Sequence, residues 1–86
     1  GAKSVDARVS SLLLDFSKKY GEKVPEGTLI RLPLSREGMA NYLGLARETV
    51  SRKLGQFENE GYIQSVSNKS ILIKEEDIIK EIAGNS

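Results

Sequence analysis

Gly44, set between Leu43 and Leu45, separates two apolar-striped segments that are each too short to hold a helix alone. Met39, Ala40, Tyr42 and Leu43 precede it as residues available for a core, and Val50, Leu54 and Phe57 follow it at helical spacing. Glycine takes a positive φ at little cost, so a tight turn between two helices fits here. Ala40, four residues before Gly44, is small enough to let the helices cross closely. Val50, six residues after it, faces back into the core. Ser35 reads as an N-cap, with Glu37 in the first turn complementing the helix dipole. A helix from about Arg36 to Leu43 and a second from about Arg47 to Asn59 follow, the second ended by Gly61. Gly38, inside the first, costs about 1 kcal/mol relative to alanine.

The flanking segments limit how this helical corner can be covered. Val5, Val9, Leu12, Leu13, Phe16 and Tyr20 form an amphipathic stripe, predicting a helix over about 4–20 with Gly21 as its C′ residue. Residues 22–28 read as a loop punctuated by Pro25 and Gly27, and residues 28–32 as a short strand that Pro33 ends or holds to an edge. After Gly61, residues 62–66 and 70–74 are both β-rich and are separated by Ser67, Asn68 and Lys69. That pattern predicts a β-hairpin. Ile78, Ile79 and Ile82 mark a closing helix that ends at Gly84.

The expected fold is mainly α with a small antiparallel β-wing, a winged helix-turn-helix. It comprises one domain over 1–86: helix 1 at about 4–20, the helix-turn-helix at about 35–59, the wing at about 62–74 and a C-terminal helix at about 75–83.

Composition removes several classes of function. The 86 residues suit one small domain with a thin core. There is no cysteine and no histidine, which excludes disulfides, thiolate or imidazole metal ligands, and the usual nucleophile and base. No glycine-rich phosphate loop accompanies the acidic residues, so the chain is read as not an enzyme. A carboxylate-based enzyme would need a pocket that so small a domain is poorly suited to provide. No apolar run reaches membrane-spanning length and no signal peptide is evident, so a cytoplasmic location is expected, with no membrane partner. Asn68-Lys69-Ser70 matches a glycosylation acceptor, a chance match without secretion.

Net charge is only +1, but it is unevenly placed: residues 35–55 sum to +2 and residues 75–81 to −3. This is compatible with one face on DNA and an acidic face turned away.

On the helix that starts at Arg47, residues Arg47, Glu48, Ser51 and Arg52 share the face opposite Val50, Leu54 and Phe57. Arginine forks onto guanine, glutamate accepts from cytosine N4, and serine reaches several base edges. Phosphate repels glutamate, so Glu48 fits such a face as a base reader or as the organiser of a neighbouring arginine. These four are the candidate base contacts. Ser35, Arg36, Thr49, Lys53 and Lys69 are the candidate phosphate contacts. Ser35 could instead serve only as a cap, and Lys69 could be a free loop lysine. The alternative for the whole domain is a winged helix that binds protein, which would expose apolar residues on this helix instead.

The stretch from Ser35 to Ile63 resembles the C-terminal DNA-binding domain of the Crp–Fnr family of bacterial transcription regulators. The likeness is carried by Ala40, Leu43-Gly44, the run from Arg47 to Arg52, Leu54, Phe57 and Gly61-Tyr62-Ile63. It implies a cytoplasmic homodimer in the full-length protein, with an N-terminal sensor barrel and dimerisation helix absent from this chain. The chain starts at Gly1 rather than Met, as expected of a processed or excised domain. The resemblance further implies binding to double-stranded DNA at a two-fold symmetric operator, here expected to contain TGA, with RNA polymerase as a further partner. No cofactor is expected in this domain, since the effector would belong to the sensor. Two positions depart from the family pattern: Ala46, where Ser or Thr is usual as a cap, and Lys53, where an apolar residue is common. The Lys53 stem could pack while its ammonium reaches a phosphate.

Overall fold

The computed structural model describes residues 3–84, in the order α1 (Val5–Tyr20), β1 (Gly21–Val24), β2 (Gly27–Arg31), α2 (Arg36–Leu43), α3 (Arg47–Asn59), β3 (Ile63–Ser67), β4 (Ser70–Ile73) and α4 (Glu76–Gly84). Ser4 caps α1 by accepting from the Ala7 N–H at 3.1 Å, with Asp6 in the first turn and Lys18 and Lys19 in the last. Both charge placements suit the helix dipole.

Gly21 ends α1, as its C-cap rather than the expected C′ residue. Gly21 has φ −77° and ψ 146°, so the chain leaves α1 directly as a strand. Glycine is needed there for closeness: a Cβ would lie 2.3 Å from the Ser17 carbonyl oxygen. The expected loop over 22–28 is likewise a hairpin. Gly21 pairs with Ile30 and Val24 with Gly27 around a Pro25-Glu26 turn. Gly27 has φ 151°, and a Cβ on it would meet the Ile73 carbonyl oxygen at 2.0 Å.

All four strands form one antiparallel sheet in the order β1-β2-β4-β3. β4 is central, pairing Ile71 with Ile30 on one side and with Ser65 on the other. The β3–β4 hairpin, the wing, is thus continuous with the strand that leads into α2. Its register shifts between Ser65 and Ser67.

α2 starts at Ser35, whose hydroxyl accepts from the Gly38 N–H at 3.0 Å. It ends at Gly44, in the left-handed region at φ 67° and ψ 35°, and the Leu45 N–H closes the turn onto the Ala40 carbonyl at 2.9 Å. α3 ends in a related way: Gly61 has φ 81° and the Tyr62 N–H reaches the Phe57 carbonyl at 2.9 Å. Both closures are built from glycine in the conformation that side chains resist.

The core joins Val9, Leu12, Leu13 and Phe16 of α1 to Met39 and Ala40 of α2, Val50, Leu54 and Phe57 of α3, the sheet isoleucines, and Ile79 of α4. Tyr42 is a correction: it is 71% exposed rather than in the core. Met39, Ala40 and Leu43 fill the inner arc of α2, and the 3.6-residue period carries Tyr42 off its edge. α4 packs along α1, so its acidic first turn, Glu76 and Asp77, stands apart from α3.

Candidate nucleic-acid interface

Arg47, Glu48, Ser51 and Arg52 are all exposed, on the side of α3 away from buried Val50, Leu54 and Phe57. Three conditions put them there. Gly44 sets the crossing of the two helices, Val50 and Leu54 fix the rotation of α3, and the 3.6-residue period does the rest. Among the described residues none of the four side chains enters an ion pair or an intramolecular hydrogen bond. Glu48 and Arg52, one turn apart, leave their donors and acceptors available to a partner.

The residues proposed for backbone contact divide. Ser35 spends its hydroxyl on the cap of α2, although it remains exposed. Arg36 is half-buried and its Nη1 donates to the Asn68 carbonyl in the wing turn at 3.4 Å. Burial lowers the pKa of its guanidinium from the ordinary arginine value, while the negative charge of Glu58 acts the other way. Thr49 is half-buried on the flank of α3, and Lys69 is exposed at the tip of the wing. Ser35, Arg36, Glu37, Arg47 and Asn68 line one shallow concavity, which brings the starts of both helices and the wing turn to a common surface.

Lys53 does not fit the expectation of a phosphate contact. Its ammonium lies 2.7 Å from the Asp6 carboxylate at the start of α1 and also donates to Gln56 Oε1, and its side chain is only 17% exposed. The flank of α3 that carries Lys53 is covered by α1, so the lysine braces α3 from behind. The stem does pack, as expected, but the charge points to a carboxylate. Sequence reading also missed Glu58, whose Oε2 accepts from the Ser65 N–H at 3.2 Å and ties the end of α3 to the wing. A carboxylate late in a helix and next to a strand gave no periodic signal for that contact. Ala46 has cap geometry, φ −72° and ψ 147°, and makes no side-chain hydrogen bond.

The chain matches the family model of the Crp-like helix-turn-helix domain over residues 7–82. It is 31% identical over 84 residues to the fumarate and nitrate reduction regulatory protein of Escherichia coli (strain K12), covering 98% of this chain and 33% of that protein. It is 34% identical over 83 residues to the nitrogen fixation regulation protein FixK of Azorhizobium caulinodans, covering 95% of this chain and 34% of that protein. Among solved structures, the CO-dependent transcription factor CooA from Carboxydothermus hydrogenoformans superposes with a TM-score of 0.89 at 31% identity, over 94% of this chain and 37% of that one. The chain therefore spans about a third of the length of the relatives it matches.

Proposed function

The chain belongs to the Crp-like helix-turn-helix family of bacterial transcription regulators, and on that premise we propose that it reads base sequence in double-stranded DNA through the first two turns of α3. The observation that carries this reading is the unpaired, exposed set Arg47, Glu48, Ser51 and Arg52, presented just after the left-handed turn at Gly44. α3 enters the major groove, α2 crosses the backbone with its N-terminus toward a phosphate, and the wing borders the neighbouring groove. The operator is two-fold symmetric with TGA in each half-site, and a regulator of the relatives' full length that carries this domain binds it as a homodimer. RNA polymerase is a further partner of that regulator, its location is the cytoplasm, and it performs no catalysis. The domain itself holds no cofactor, and any effector acts outside it.

Base readout is tested at Arg52. On a specific duplex Arg52→Ala should weaken binding by about 1–3 kcal/mol and flatten the preference at one base-pair position, with a much smaller loss on a scrambled duplex. Equal losses on both duplexes with unchanged base preference would make the polar cluster a phosphate clamp.

A further inference from the structure

The wing turn is gripped from one side by the segment that leads into α2. The Leu32 N–H donates to the Lys69 carbonyl at 2.7 Å, and Arg36 Nη1 donates to the neighbouring Asn68 carbonyl at 3.4 Å. The same hairpin is held at the middle of β3 by Glu58, which accepts from the Ser65 N–H at 3.2 Å just before the register shift between Ser65 and Ser67. Beyond that shift β3 is the edge of the sheet, while β4 pairs on its other side with β2 as far as Ser70 and Arg31. β2 therefore fixes the β4 side of the turn, and the β3 side, running through Ser67 to Asn68, has no further strand beside it. On that outer side a contact from outside the ladder can hold the turn, and Arg36 supplies one at Asn68.

We propose that Arg36 is a positioning residue, which locks the wing turn against the start of α2 so that Lys69 is delivered to the same surface as Arg47. The assignment differs from a phosphate contact made by Arg36 itself. Its guanidinium has a carbonyl partner within the domain and Glu58 nearby, and it lines the concavity shared by Arg47 and Asn68. A planar fork with several donors suits this use, since it can bond a carbonyl while keeping its plane against the surface beneath. Only the consequence for DNA rests on the base-reading function proposed above; the latch itself is a property of the free domain.

Two measurements on the 86-residue chain test it. In the free protein, Arg36→Gln should accelerate backbone hydrogen exchange over residues 67–70 and leave exchange in α1 and α3 unchanged. Unaltered exchange in the wing overturns the latch whether or not the domain binds DNA. On DNA, Arg36→Gln, Lys69→Ala and the double variant are titrated across a salt series on specific and scrambled duplexes. If Arg36 acts through the wing, each single variant weakens both duplexes by a similar factor, and the slope of log K against log salt falls by about 1. The double variant is then no weaker than the weaker single one. Losses that multiply, with a slope change of about 2, overturn the proposal in favour of a direct phosphate contact. A Lys69→Ala variant that binds as well as the parent overturns the delivery of Lys69 to DNA, and Arg52→Ala then decides separately whether α3 reads bases.

Discussion

Two single positions carry unfavourable features that the fold tolerates. Ala46 occupies the cap of α3 without a side-chain oxygen, although the Thr49 and Val50 N–H groups both reach its carbonyl, at 3.1 and 3.2 Å. The Glu48 N–H has no protein partner among the described residues. Ala46→Ser should supply one and stabilise the domain by roughly 0.5–2 kcal/mol, read by denaturant titration. An unchanged midpoint would show that the first turn of α3 gains nothing from an added acceptor. Ser10 is the opposite case, a hydroxyl fully buried in α1 with no hydrogen-bond partner. An unsatisfied buried hydroxyl costs about 1–3 kcal/mol, and alanine is also the better helix former. Ser10→Ala should therefore raise the melting temperature by several degrees. A drop would mean that the hydroxyl is satisfied in solution, for instance by a bound water.

Among the elements, α3 is held in place by contacts on three sides: the crossing with α2 at Gly44, the wing through Glu58, and α1 through Lys53 and Asp6. Because Lys53 is committed to Asp6, Lys53→Gln should leave the salt dependence of DNA binding unchanged while lowering stability by about 0.2–1 kcal/mol. A fall of about 1 in the salt slope would return Lys53 to the phosphate contacts. Such braces explain which parts of the molecule were legible in its sequence. The helices and the wing were readable because each satisfies a local rule, such as Val50, Leu54 and Phe57 at helical spacing or two β-rich runs around Asn68. β1 was not, because Glu22 and Lys23 have little strand propensity and are strand only through pairing with Leu29 and Thr28 of β2. The exposed face of α3 followed from the helical period alone. The partners of Lys53 and Arg36 did not, because Asp6 and Asn68 reach them only after α1 and the wing have packed.

For the molecule as a whole, the proposed function gives one domain one DNA-reading helix, so affinity for an inverted repeat would depend on joining two copies. The 86-residue chain should bind an operator weakly, and fusion to a parallel coiled coil should tighten binding by about 10²–10⁴-fold. Selection from random duplexes with the fused protein should enrich inverted repeats with half-sites about one helical turn apart. No gain at any linker length would count against a two-fold operator. The four residues at the front of α3 have a further consequence at this scale. They touch nothing that holds the domain together, so substitutions at Arg47, Glu48, Ser51 and Arg52 carry almost no folding cost. Under the proposed base-reading role, a lineage can thus exchange one set of target promoters for another by drift through these positions, with the scaffold inherited intact.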